Sequence, residues 1–186
     1  AVNPFAKTDR IDNVTASNTN LLVNARKNPD NGTTFWTLEH ASSGSSANDT
    51  TKLTINGQDG TFTIPQKANT SIRINGRDAK TLISGYSFGA QRLIYSTSEL
   101  LTNTTINNQD VAVLYGRNGE DGETMLRFAN QPTVEVLSGN VSQTYNKSTG
   151  QLRLNYTHTG MAEVKISGGD SARDLILWIG TDEEAD

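Results

Sequence analysis

Apolar residues recur at every second position in short runs from Leu21 to Ile179, and Gly-containing turns separate the runs. Period two is the spacing of a half-buried strand, whose successive side chains point to opposite faces. Lys52-Leu-Thr-Ile55 and Thr61-Phe-Thr-Ile64 show it most clearly. The linker between them, Asn56-Gly-Gln-Asp-Gly60, tolerates positive φ, so the segment predicts a hairpin. Ser71-Ile-Arg-Ile74, the Asn75-Gly76 turn and Lys80-Thr-Leu-Ile83 extend it as a meander.

A second series runs through Arg92-Leu-Ile-Tyr95, Val111-Ala-Val-Leu-Tyr115 and Thr124-Met-Leu-Arg-Phe128, with Asn118-Gly-Glu-Asp-Gly-Glu123 as the tip of its last hairpin. Four more strands follow at Thr133–Leu137, Val141–Tyr145, Gln151–Tyr156 and Ala162–Ile166, and Leu152, Leu154 and Tyr156 share one face. Leu175-Ile-Leu-Trp-Ile179 is apolar at every position, which predicts a central strand sandwiched between layers with Trp178 in the core. Thr181-Asp-Glu-Glu-Ala-Asp186 reads as an N-cap and a negatively charged first turn, an acidic tail that begins a helix. The Ser- and Gly-rich stretch Ser42–Ala47 lies between strand candidates and reads as a long hairpin loop.

More than a dozen short strands at spacings of about eight to twelve residues predict an all-β fold. The expected architecture is many short antiparallel strands in stacked sheets or a partly closed barrel. Composition does not break along the chain, so residues 1–186 are expected to form a single domain, divisible at most into two subregions.

Sixteen Lys and Arg against twenty Asp and Glu give a formal charge of -4, spread along the chain. No basic face is available to neutralise phosphates, which argues against nucleic acid as a partner. No apolar run approaches the ~20 residues that cross a bilayer as a helix, and a membrane is not expected as a partner. Ala1-Val-Asn-Pro-Phe5 lacks the regions of a signal peptide and opens mid-loop, so the chain reads as an excised domain. Eight Asn-x-Ser/Thr sequons, at Asn13, Asn31, Asn48, Asn69, Asn103, Asn140, Asn146 and Asn155, point to a secreted, extracellular glycoprotein. Asn155 lies inside a predicted strand and is the least suited to carry a glycan.

Chemistry-bearing residues are scattered, and the expectation is no catalytic residue, no cofactor site and no metal site in this chain. There is no cysteine to supply a thiol or a Cys-based zinc site. His40 and His158 lack a second histidine at ligand spacing and read as ordinary strand histidines. The acidic stretch at residues 118–123 offers oxygen ligands without the spacing of a calcium loop, and reads as a solvated tip. Ser84-Gly-Tyr-Ser-Phe-Gly89 alternates Gly and Ser, but no helical pattern follows it as in a nucleophile elbow, so it reads as a tight β connection. The carboxylates nominate no opposed pair for glycoside hydrolysis. Trp36 and Trp178, with Tyr86, Tyr95, Tyr115, Tyr145 and Tyr156, would stack on a sugar only if several were exposed together, whereas most alternate with apolar neighbours.

Six consecutive segments carry a family likeness: Asn28-Pro-Asp-Asn-Gly-Thr-Thr-Phe35, Leu38-Glu-His-Ala41, Asp59-Gly-Thr-Phe-Thr-Ile-Pro-Gln66, Ile74-Asn-Gly-Arg-Asp78, Leu93-Ile-Tyr-Ser-Thr-Ser-Glu99 and Val113-Leu-Tyr-Gly116. In this order they resemble the second domain of fungal glycoside hydrolase family 35 β-galactosidases, over nearly the whole chain. Asp174-Leu-Ile-Leu-Trp-Ile-Gly180 and the acidic tail resemble the stretch leading into that domain's terminal helix. The loop Gly116–Gly122 departs from the family, whose equivalent commonly contains a histidine.

The resemblance implies a noncatalytic, all-β accessory domain that buttresses a catalytic barrel. Its partners would be that barrel and the later β domains of one secreted polypeptide, with galactosides at most weak ligands. The parent enzyme would remove terminal non-reducing β-D-galactosyl residues with retention, using two glutamates that this chain does not include. An autonomous carbohydrate-binding module is the alternative. A buttress should carry an exposed apolar patch where its neighbour packs.

Overall fold

Alternation becomes eighteen strands and one helical turn in the computed structural model, which describes residues 7–42 and 44–185. The Ala1–Phe5 opening and Ser43 of the Ser-rich stretch lie outside the described residues. The chain divides into two compact units, residues 1–86 and 87–186.

In the first unit the strands are β1 (Asp9–Ile11), β2 (Val14–Ala16), β3 (Leu21–Lys27), β4 (Thr34–His40), β5 (Asn48–Thr51), β6 (Leu53–Gly57), β7 (Gly60–Ile64), β8 (Ile72–Asn75) and most of β9 (Ala79–Phe88). They pair antiparallel in the orders β1-β3-β4-β9, β2-β6-β7 and β5-β8. The predicted hairpin is β6–β7. Its register of Leu53 with Ile64 and Ile55 with Phe62 puts all four side chains in the core. The other face is polar, with exposed Thr54 opposite Thr63 and Asn56 opposite Thr61. The meander does not form as predicted, because β8 pairs with β5 while β9 pairs with β4. For the same reason β4 and β5, which flank the Ser-rich stretch, belong to different sheets and form no hairpin. Trp36, Leu38, Leu53, Ile64, Ile74 and Leu82 are fully buried.

The second unit contains β10 (Gln91–Ser96), β11 (Glu99–Ile106), β12 (Gln109–Gly116), β13 (Asp121–Arg127), β14 (Pro132–Ser138), β15 (Val141–Asn146), β16 (Gln151–Thr157), β17 (Ala162–Gly168), β18 (Leu175–Thr181) and the turn α1 (Asp182–Ala185). One group of strands runs β10-β13-β16-β15 and a five-stranded sheet runs β11-β12-β18-β17-β14. Among the described residues the sheets form no closed barrel. Asn107 and Asn108 both take positive φ, 49° and 61°, and close the β11–β12 hairpin as a two-residue turn that asparagine tolerates.

Two sequence expectations change here. β12 and β13 belong to different sheets, so residues 117–120 cross between layers instead of forming a hairpin tip, and β13 already begins at Asp121. β12 instead pairs in parallel with β18, a departure from a wholly antiparallel fold that the long intervening chain makes possible. The acidic tail does start a helix. Glu184 Oε2 accepts the Thr181 backbone N–H at 2.9 Å, one half of a capping box.

Candidate functional site

Polar side chains taken inside the β layers are where chemistry would be found, because burial without a partner costs about 1–3 kcal/mol per group. His40 is one of them. At the end of β4 its Nδ1 is hydrogen-bonded to Gly76 O at 2.6 Å, and its Nε2 lies 2.8 Å from Asp49 Oδ2. The bond from His40, with a second from Asn18, holds the Asp49 carboxyl below its ordinary value. The ring thereby ties β4 to β5 and to the turn after β8.

The second histidine closes a longer chain of hydrogen bonds. His158 Nδ1 donates to Gly180 O at 2.8 Å, and Nε2 is hydrogen-bonded to Ser98 Oγ at 2.8 Å. Ser98 Oγ is hydrogen-bonded in turn to the Tyr156 hydroxyl at 2.9 Å, and Tyr156 to Thr124 Oγ1 at 2.8 Å. Burial raises the Tyr156 hydroxyl pKa. Gly116 passes beneath the imidazole, where a Cβ would come within 2.6 Å of the ring. A serine bonded to a histidine is the core of an acyl-transfer site. Here Ser98 and His158 are 2% and 1% exposed, and the third partner is a backbone carbonyl instead of a carboxylate. No substrate reaches the hydroxyl, so the network holds the fold together. Sixty positions separate the two residues, and no sequence motif announces them.

Buried carboxylates are occupied in the same way. Glu123, fully buried in β13, accepts from Tyr95 at 2.7 Å and from Asn155 at 2.9 Å, with Arg153 Nε 3.9 Å away. Burial, then the Glu123 charge, pushes the Tyr95 hydroxyl far above the ordinary tyrosine value. Glu120 accepts the Arg117 backbone N–H at 3.3 Å. The acidic stretch therefore spreads its side chains along a crossover and into a sheet, and its solvated-tip reading fails at Glu120 and Glu123, which are both buried.

Asp110 is likewise inaccessible to solvent. Burial alone would raise its pKa, but bonds from Ala90 N, Gln91 and Thr105 and the Arg173 charge overcome that and lower it. Gly89, at φ +54°, makes room for this carboxylate: a Cβ there would lie 2.0 Å from Asp110 Oδ1. Ser84 is buried within β9 and Ser87 accepts from Arg92 Nη1 at 3.0 Å, so the Gly–Ser alternation builds strand and turn.

Two open grooves among the described residues are lined without opposed acids. One, of ≈ 550 Å³, is lined by Val136, Asn140, Ser142, Asn155 and Thr157 among others, and a second, of ≈ 330 Å³, by Arg10, Asp12, Val23 and Asn24. Neither brings together the two carboxyls that glycoside hydrolysis requires.

The sequons divide by exposure. Asn31, Asn48, Asn69, Asn140 and Asn146 are exposed, and Asn13 and Asn103 are half-buried. Asn155 is buried with its amide nitrogen committed to Glu123.

Trp36 lies in the core, whereas Trp178, expected there, does not. β18 is central within its sheet, but its two faces differ: Leu175, Leu177 and Ile179 are buried, whereas Ile176 is half-buried and Trp178 is 43% exposed. An all-apolar run was consistent with burial on both sides, but the exposure of Trp178 shows that the second side is not fully buried. Among the described tryptophans and tyrosines Trp178 alone is exposed, so several rings do not form one sugar-stacking platform.

These features define an all-β scaffold whose polar residues serve its own cohesion. Sequence comparison specifies it further. The profile of the family described as "Beta-galactosidase, domain 2" matches residues 5–185, and the chain belongs to that family. It is 29% identical, over 87% of its length, to a "Probable beta-galactosidase B" of Emericella nidulans, and 32% identical over 87% to one of Talaromyces marneffei. To a "Probable beta-galactosidase C" of Sclerotinia sclerotiorum it is 32% identical over 92% of its length. The chain spans only 16–17% of the length of these relatives. It is an accessory domain of the β-galactosidase type, within the span of a larger polypeptide.

Proposed function

We propose that this chain is the noncatalytic second domain of a secreted fungal β-galactosidase of glycoside hydrolase family 35, glycosylated at exposed sequons. It buttresses the catalytic barrel and the later β domains of the same polypeptide. The parent enzyme would hydrolyse terminal non-reducing β-D-galactosyl residues with retention, through two barrel glutamates outside this chain. One observation carries the reading: a domain-2 family match covers nearly the whole chain, and the buried Ser98, His158 and Glu123 are hydrogen-bonded within the fold.

Rigidity is what such a body contributes. Small displacements of reacting groups are costly in rate, so a stiff neighbour that limits motion around the galactose pocket supports turnover without touching substrate. Titration of the chain with galactosides and galactan, followed by calorimetry or NMR, tests the proposal against a carbohydrate-binding module. A structural domain gives no saturable heat or shift. Saturable binding would favour the module.

A further inference from the structure

The uncovered face of the five-stranded sheet departs from the way this chain builds its solvated faces. On β6–β7 the outward positions are Thr54, Asn56, Thr61 and Thr63. On the five-stranded sheet the outward positions of the two central strands are apolar: Val111 beside Ile176, and Val113 beside Trp178. Both valines and Ile176 are half-buried. Met161, 45% exposed, extends the patch over Gly180, its Cε 3.5 Å from where a Cβ would stand. A contiguous apolar patch on a sheet interior marks an interaction surface, unlike single exposed hydrophobics.

Acidic groups rim this patch. Glu163 of β17 pairs with Trp178, and Glu99 of β11 pairs with Tyr115. Burial, followed by the nearby charges of Glu99 and Asp182, raises the Tyr115 hydroxyl pKa. The Lys165 ammonium on the same face is matched by Asp174, 3.9 Å away.

We infer that this face, centred on Trp178, seats another domain of the same polypeptide, through an apolar centre with basic groups opposite Glu99, Glu163 and Asp182. The inference rests on the accessory-domain reading and adds the docking surface to it. Two facts select the occupant. The relatives devote over four-fifths of their length to other segments, since this chain covers 16–17% of them. A tethered neighbour also acts at about millimolar effective concentration, so it outcompetes a second copy of the chain at ordinary protein concentrations.

Hydroxyl-radical footprinting of the full-length polypeptide containing this chain, alongside the separate 186-residue chain, provides the test. Docking predicts that oxidation of Trp178 and Met161 falls about fivefold or more in the full-length protein, as expected for side chains sealed from water at an interface. Leu22, exposed on β3 in the other unit, serves as the reference and should be oxidised equally in both. Trp178→Lys in the full-length protein should return Met161 oxidation toward that of the separate chain. Equal oxidation of Trp178 in both forms would overturn the inference. So would a separate chain that sediments as a dimer with Trp178 protected, because the occupant would then be a second copy. A wet Trp178 leaves the noncatalytic role standing, whereas galactoside turnover by the separate chain removes that role whatever the footprint shows.

Discussion

Trp178 of β18 lies beside Val113 of β12 in a parallel ladder, both on the side of the sheet that the core does not cover. Leu177, the next residue back, points into the core and is 2% exposed. The two neighbours should therefore respond oppositely to substitution in the 186-residue chain. Leu177→Ala removes buried methyl groups and should cost about 2–5 kcal/mol, while Trp178→Gln should cost less than about 1 kcal/mol. Urea unfolding measures both, and equal losses would place Trp178 in the core.

Ser98→Ala removes one hydrogen bond from His158 Nε2 and one from the Tyr156 hydroxyl, inside a site closed to water. The expected loss is about 1–3 kcal/mol of stability. Galactoside turnover per folded molecule of the full-length polypeptide should not change. Lost turnover at unchanged stability would assign chemistry to Ser98.

Acid should loosen the fold through Asp110, and through Asp49 in the first unit. Both carboxyls are held below their ordinary value of 3.8 in the folded chain. A depressed folded pKa contributes stability that is complete above the unfolded value and is lost as pH falls below 3.8 through the lower folded value. Denaturation midpoints measured between about pH 2 and 5 should fall with acid, and Asp110→Asn should flatten part of that slope. An unchanged slope in Asp110→Asn would contradict the assignment.

Much of this architecture is legible in the chain because alternation and turn chemistry agree locally. β6, β7, β15, β16 and β17 fall where period two and their turn residues place them. β11 was missed. It is an edge strand, Glu-Leu-Leu-Thr-Asn-Thr-Thr-Ile, with little burial on either face, so no apolar alternation marks it. Pairing was less legible than strand existence: β8 and β9 are neighbours in sequence but bond to β5 and β4, a choice made by contacts distant in the chain. Trp178 was misplaced because an all-apolar run reads the same whether a strand is buried on one face or on both. The Ser98–His158 contact joins residues whose proximity only the folded sheets create.

Glycan occupancy should follow side-chain access. If the chain is secreted as proposed, glycopeptide mass spectrometry should find glycans among exposed Asn69, Asn140 and Asn146, and none on Asn155, whose amide nitrogen is spent on Glu123. A glycan on Asn155 would require the Glu123–Tyr95–Asn155 cluster to open.

Hydrolysis of a chromogenic β-galactoside, measured side by side for the purified 186-residue chain and the full-length polypeptide, addresses the noncatalytic assignment most directly. The account predicts turnover by the full-length protein and none above buffer by the chain alone. Saturable turnover by the chain would contradict it.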